Sequence, residues 1–376
     1  MGWLGGYSYR QKITIDADSY IASDLTDFSV RVNIPSSNTD FWTNDDGDGS
    51  YVRFTSSDGV TLLNFEVESY DNSGEDAWWH VKVPTLSGTV DTEIYIYYKA
   101  ASPSSGENIA GTWDSNYVAV YHLNQDKAAG AFADSTSNAI NGTNAGTTNR
   151  TGYIDNGRDF DGVDDGIELG YGNFATALNG AAGVTMSCVI EPDVFMSGGA
   201  MNLFWSREAG ADFNFFSCRI RDLSSPTTMK VDFSARSQST DAVQSGDTST
   251  TAITAGNKYF LVYIADFAND LMLAYQDGVE VTNKAVTFGS STYVKGSETP
   301  AGLDRIGRYP GSNFFNGGID DMRVSSKVRD SDWVQAEYRN WLGAWMTISA
   351  QESAPPRGAG ERGIGRGIMR GVGRGI

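Results

Sequence analysis

The chain has 376 residues, 40% of them hydrophobic and 12% aromatic, enough to bury real cores and long enough to favour two domains over one. Its formal charge of −19 is unevenly spread: residues 355–376 hold five arginines and one glutamate and carry +4, leaving −23 on the remainder, a sign that excludes nucleic acid and anionic membranes as partners of the body. No window approaches the roughly 20 apolar residues of a membrane span, and the opening MGWLGGYSYRQKITID runs into strand-like sequence without the basic and apolar regions of an export leader, so no cleaved segment is expected.

Residues 3–100 read as a first domain. The runs YRQKITID, FSVRVNI, YVRFTSS, LLNFEVESY, AWWHVKV and TEIYIYYKA are rich in β-branched and aromatic residues, alternate apolar with polar, and are separated by Gly, Asn, Asp, Ser and Pro. That pattern predicts an antiparallel β-sandwich. Glu66 and Glu68 lie two apart in a strand and therefore share a face, as the carboxylate pair of a glycosidase might, although a solvent-facing strand also carries such charges. The loop Asn44-Asp45-Asp46-Gly47-Asp48-Gly49 begins like a calcium loop, but Thr55 stands where the closing glutamate belongs, so an acidic turn is expected.

Residues 101–112, small and polar, read as a linker, and residues 113–350 as a second domain. Tyr117–Leu123 predicts a strand and Asp134–Gly146 a long polar loop. The runs TMSCVIEP, NLFWSRE, NFFSCRIRD, KVDFSAR, KYFLVYIAD and DLMLAYQDGVEV follow, with Asp277-Gly278 as a hairpin turn. Ser331 could cap a short helix over 332–340. Cys188 and Cys218 sit in apolar runs; free buried thiols are expected, with a disulfide as the alternative. The two histidines, His80 and His122, are flanked by alternating apolar residues and read as structural. No nucleophile elbow, zinc-protease helix, paired CxxC, Walker loop or dinucleotide fingerprint is present, so no enzyme activity and no catalytic residue is expected.

Trp3 with YSYRQKITID, then SDLTDFSVRVNI, YVRFTSSDGVTLLNFEVESYD and WWHVKVPTLSGTVDTEIYIYY, resemble a β-sandwich family of unknown function that precedes laminin G-like modules, which implies an accessory sandwich. The second domain resembles the laminin G-like, concanavalin A-like jelly roll through VAVYHLNQ, DSTSNAINGT, FDGVDDGIELG, AYQDGVEV and FNGGIDDMRVSSKVRDSDWVQAEY. Such modules bind glycans or proteins, mediate assembly and often hold one structural calcium. The resemblance places Asp134, Asn138 and Asp320 at positions matching a Ca2+ site, with Gln125 where the family often has an acid. It also lacks the Glu-x-Asp-x-Glu pattern of concanavalin-like glucanases. Among Trp42, Trp205, Tyr309, Phe314 and Phe315, the surface aromatics expected to meet a glycan are Tyr309 and Phe314.

Residues 351–376 form a Gly/Arg/Ile tail. Arg362, Arg366, Arg370 and Arg374 recur every four residues, with Ile364, Ile368, Val372 and Ile376 halfway between. In an extended chain this puts these arginines and aliphatic residues on one face and leaves a nearly bare glycine face behind, a flat strip suited to docking on an acidic or edge-exposed protein surface. The whole then resembles a phage virion protein: a non-enzymatic capsid decoration, fibre or spike subunit in an oligomeric or symmetric assembly. It would be made in the host cytoplasm, displayed outside and held by other virion proteins, with host-surface glycans as a further partner. The alternatives are a prokaryotic cell-surface carbohydrate-binding adhesin and a glycoside hydrolase built on Glu66 and Glu68.

Overall fold

The structure, a computed structural model, describes residues 2–356 except 125–130, 152–153, 155, 196–198, 208–213, 222–228, 239, 248–251, 297–302 and 310. The expected docking strip from Arg362 to Ile376 therefore lies outside the described residues. The fold is all-β, and all its strand pairs are antiparallel.

The first sandwich contains β1 (Tyr7–Ile15), β2 (Leu25–Ile34), β3 (Arg53–Ser56), β4 (Leu62–Leu63), β5 (Phe65–Asp71), β6 (Asp76–Leu86) and β7 (Thr92–Ala100). One sheet has the order β2-β6-β5. The other runs from the late strand Met346–Ile348 through β1, β7 and β3 to β4, and Glu352–Ser353 also pairs with β1. Residues 346–350, read from the sequence as jelly roll, and 351–353, read as tail, thus belong to the first sandwich. Two or three residues are too short to announce a strand, and their pairing with a strand more than 300 positions earlier leaves no local trace.

Period-two alternation sends Phe28, Val30 and Val32 of β2 and Trp79, Val81 and Val83 of β6 into the core with Ile13, Phe54 and Ile96. Ser29, Arg31, His80 and the β5 residues Glu66 and Glu68 fall on the opposite face, yet all are buried. The second sandwich covers them. It is built of two eight-stranded sheets, and its strand Asn316–Ser325, together with β8 (Tyr117–Tyr121), lies next to the first domain. Tyr117 and Val120 join the first sandwich's core, whereas Val118 and Tyr121 join the second's.

The helix Ser331–Leu342 fills the angle between the sandwiches. Asp330, one residue before the expected Ser331, caps it by accepting from the Trp333 amide at 2.8 Å, and Gly343 ends it in the left-handed conformation. Trp333 and Ala336 pack into the first core, while Val334 packs on Phe260, Val262 and Tyr275 of the second sandwich. Asn340 completes the contact: its Oδ1 accepts from Arg31 N at 3.0 Å and its Nδ2 donates to Ser29 O at 2.7 Å. The open edge of β2 is thereby satisfied as a neighbouring strand would satisfy it. Cys188 and Cys218 are buried free thiols, and among the described residues no helix is long and apolar enough to cross a membrane.

Trp345 is 2% exposed, packs edge-on to Phe28, and its carbonyl accepts from Asp16 N at 2.9 Å. Trp345→Ala is expected to destabilise the protein by about 3–5 kcal/mol in urea unfolding, while removal of residues 357–376 leaves the midpoint unchanged.

Candidate functional site

The covered face of the small sheet carries a dense group of ionisable residues. Register places Arg31, His80 and Glu66 in one row across β2, β6 and β5, and Glu68, two positions on, lies on the same side at a β-bulge between Val67 and Ser69. From the second sandwich come His122, just past β8, and Asp320, Asp321 and Arg323 from Asn316–Ser325, with Glu337 from the helix. That strand is itself bulged against Gly183–Pro192, and Asp321 has φ +47, so its carboxylate is aimed by an unusual backbone. None of these side chains is more than 9% exposed. The expectation that Glu66 and Glu68 face solvent is therefore corrected: a second domain lies on that face.

The chain's two histidines meet here, their rings stacked with centroids 4.8 Å apart and planes at 20°. His80 Nε2 is 2.9 Å from Glu68 Oε2. His122 Nε2 stands 3.3 Å from Glu66 Oε1, and its Nδ1 stands 3.6 Å from Glu68 Oε1 and 3.8 Å from Asp321 Oδ1, yet neither ring nitrogen makes a hydrogen bond. Glu66 accepts from Trp113 Nε1 at 2.7 Å and from Ser135 Oγ at 2.5 Å. Arg323 donates from Nη2 and Nε to the two oxygens of Asp321 at 2.6 and 3.1 Å and lies over the Trp113 ring. Glu337 takes the Tyr117 hydroxyl at 2.6 Å and stands 3.5 Å from Arg323 Nη1.

Electrostatics divides the group. Burial, reinforced by His122 and Arg323, holds His80 well below the usual imidazole range. Burial pulls His122 down too, but Glu66, Glu68 and Asp321 outweigh it and raise it to about 9. Burial, with Asp321 and Glu68 nearby, pushes Asp320 well above the usual carboxyl range. Burial opposes ionisation of Glu66, but His122 and the Ser135 hydroxyl bring it below its ordinary value.

The residues expected to hold calcium separate into two roles. Both oxygens of Asp134 are taken, Oδ1 by Val120 N and Thr136 N and Oδ2 by the Thr136 hydroxyl and Ile140 N, all at 2.9–3.0 Å. A carboxylate has about four lone-pair sites, so Asp134 braces its own loop and does not fit a calcium ligand. Asn138 Nδ2 donates to Val118 O at 2.9 Å, and Asp320 lies in the buried group instead. The Asn44–Gly49 turn is likewise engaged with its surroundings, Asp46 accepting from Ala100 N at 2.6 Å and Asp48 from Ser50 N at 2.8 Å. Three groups of ligand-type side chains come together among the described residues: Glu68, His80 and His122; Asp16, Asp18 and Asp91; and Asp161, Asp164 and Asp165.

A cleft of about 460 Å³ opens where the β2 edge faces the Met346–Ile348 edge, lined in part by Gln11, Arg31, Asn33, Asn38, Trp78 and Met346. Trp78 is half-buried, with Arg31 Cζ 5.3 Å from its ring centroid and its Nε1 donating to Asp76 Oδ2 at 2.8 Å. Gln11 and Asn38 exchange amide hydrogen bonds of 3.0 and 3.1 Å. Arg31 joins the two regions, because its Nη1 also stands 3.9 Å from Asp321 Oδ2. Neither Tyr309 nor Phe314 lines this cleft. Both are half-buried on the second sandwich, Tyr309 with its ring edge-on to buried Trp205 at 4.3 Å.

Sequence reasoning missed Trp78, Arg31, Arg323, Asp321 and Glu337. The signal available was an alternation that leaves Arg31, Trp78 and His80 on one face, but alternation does not say what covers that face.

Fold and site together define a class: a tandem β-sandwich protein with a charged, sealed seam and an open cleft beside it. Residues 48–147 match the model of a domain of unknown function (DUF2341). The matched segment is less than half of the chain and does not coincide with the first sandwich; it runs from the β3 region through the linker into the second and includes Glu66, Glu68, His80, Trp113, His122 and Ser135. No curated protein matches the chain.

Among solved structures, domain 4 of AbnA, an extracellular arabinanase from Geobacillus stearothermophilus, in complex with arabinotriose, is similar at 17% identity and TM-score 0.41, over 58% of this chain and 97% of that one. Trypanosoma rangeli sialidase is similar at 13% and 0.42, over 69% and 42%. A botulinum neurotoxin type C structure, whose cell entry is described as dependent on two ganglioside molecules, is similar at 10% and 0.43, over 60% and 51%. The chain thus spans about half or less of the sialidase and neurotoxin chains, and identities this low say nothing about a ligand.

Arg323→Ala strands Asp321 and Glu337 in the seam without their cation and is expected to cost about 3–5 kcal/mol, read by chemical denaturation against the wild type.

Proposed function

We propose that this protein is a non-enzymatic binding and display module that takes a hydroxyl-rich ligand, a glycan, in the cleft beside Trp78. The observation that carries this reading is the cleft itself, where a half-buried indole stands among side-chain amides, against the buried guanidinium of Arg31. Sugar rings offer an apolar C–H face to an aromatic and hydroxyls to planar polar groups, and a mostly preformed concavity of this size suits a few residues of glycan. The sealing of Glu66 and Glu68 supports a non-enzymatic role, because a glycosidase needs its two carboxyl groups on either side of a bound sugar.

The finer reading is a virion subunit displayed outside the particle and docked through Arg362–Ile376, and the tail's sequence supports it. A cell-surface adhesin would use the same cleft. Because Glu352–Ser353 completes the β1 edge, a chain ending at Pro356 keeps the body whole and tests docking alone. In the virion reading that chain folds but fails to join particles; normal occupancy of the particle by the truncated chain defeats it.

Glycan screening followed by titration calorimetry tests the cleft. Trp78→Ala is expected to weaken binding at least about tenfold, the loss of a central aromatic anchor, while Tyr309→Ala and Phe314→Ala leave affinity unchanged. The reverse pattern moves the site to the second sandwich, and a screen with no glycan bound removes the proposal.

A further inference from the structure

We propose that Glu68, His80 and His122 form a binding site for a divalent metal ion of zinc's class, with Asp321 as the fourth ligand, and that this ion staples the two sandwiches together. The inference is independent of the glycan cleft.

Geometry comes first. The candidate donor atoms of Glu68, His80 and His122 lie within 4.8 Å of one another. His80 Nε2 and Glu68 are 2.9 Å apart, Glu68 and His122 Nδ1 3.6 Å, and His122 Nδ1 and Asp321 Oδ1 3.8 Å. Ligands bound tetrahedrally at zinc-to-nitrogen or zinc-to-oxygen distances of about 2 Å are about 3.3 Å apart, so small side-chain movements would close Glu68, His80 and His122 around one ion, with Asp321, also held by Arg323, the next carboxylate in reach. Two imidazoles with two carboxylates suit zinc and its neighbours better than calcium, which prefers an all-oxygen shell.

A second observation points to a ligand. His122 is 5% exposed, and neither of its ring nitrogens has a hydrogen-bond partner; His80, fully buried, leaves Nδ1 unpaired. Both His122 nitrogens face carboxylate oxygens at 3.3–3.8 Å without a well-formed hydrogen bond, so the ring is poorly satisfied as it stands, and coordination would use His122 Nδ1. The proton would then sit on Nε2, which faces Glu66 3.3 Å away. Glu66 is held from behind by Trp113 and Ser135, the arrangement in which a carboxylate orients a metal-bound histidine.

Charge agrees. Glu66, Glu68, Asp320, Asp321 and Glu337 are five buried carboxyl groups gathered around the guanidiniums of Arg31 and Arg323 and the imidazoles of His80 and His122. A dication at their centre would be surrounded by carboxyl oxygens. Glu68 and His80 belong to the first sandwich and His122 and Asp321 to the second, so the ion would bind only the docked pair.

The seam is sealed, so loading is tested by refolding the full chain from urea with Co2+. The expected result is one Co2+ per chain with the visible d–d absorption of a four-coordinate site, displaced by Zn2+. Glu68→Gln and His122→Gln are each expected to abolish the absorption, and Asp161→Asn, in a separate acidic group, to leave it unchanged. Zn2+ should also raise the melting temperature by roughly 5 °C or more. A wild-type chain that refolds in Co2+ without saturable absorption overturns the proposal whether or not the variants fold. So does absorption that survives in a folded Glu68→Gln protein.

Discussion

The constraint on which the rest of the molecule depends is that the β2-β6-β5 sheet is covered on both faces. Alternation along these strands gives it one apolar face and one face bearing Arg31, His80, Glu66 and Glu68. The second sandwich lies on that second face, so each of these groups leaves bulk water and must find a partner within the protein. Asp321 is that partner for Arg31, and His122, Trp113 and Ser135 are the partners of the glutamates, while His80 pairs with Glu68 within the sheet. Buried ion pairs contribute little net stability after desolvation. What they contribute here is selectivity among docking poses, because any other placement of the second sandwich leaves several charges unpaired in a dry interface.

The same constraint explains why the two sandwiches are not beads on a string. The helix Ser331–Leu342 offers Trp333 and Ala336 to one core and Val334 to the other cluster. Its end then directs the chain back across the first domain, where Met346–Ile348 and Glu352–Ser353 pair with β1. First and last strands are therefore neighbours in one sheet. A tail leaving from residue 356 departs from the first sandwich, at the end of the molecule that also holds the Trp78 cleft. The Trp78 cleft and residue 356 share a domain.

Arg31 couples these regions chemically. It belongs to the cleft wall and to the buried group, it lies against Trp78, and its backbone amide is tied to Asn340. A ligand hydroxyl that drew on the guanidinium would be felt at Asp321, whose Oδ2 stands 3.9 Å from Arg31 Nη1. The cleft and the seam are separate sites with one residue in common.

The sequence by itself determined what is local. Alternation of apolar and polar residues set the strands and the all-β class, Asp277-Gly278 set a hairpin, and apolar surroundings buried Cys188 and Cys218, because each of these depends on neighbours a few positions away. Only the tertiary structure decided which outward face stays outward. Glu66 and Glu68 read alike as an exposed pair, a catalytic pair or a buried one, since a period of two reports the side of a strand and not what lies beyond it. The meeting of His80 with His122, the return of residues 346–353 to β1 and the diversion of Asp320 from Asp134 all depend on contacts between positions far apart in the chain. Such contacts follow from packing whole surfaces together, a property that no short window of sequence contains.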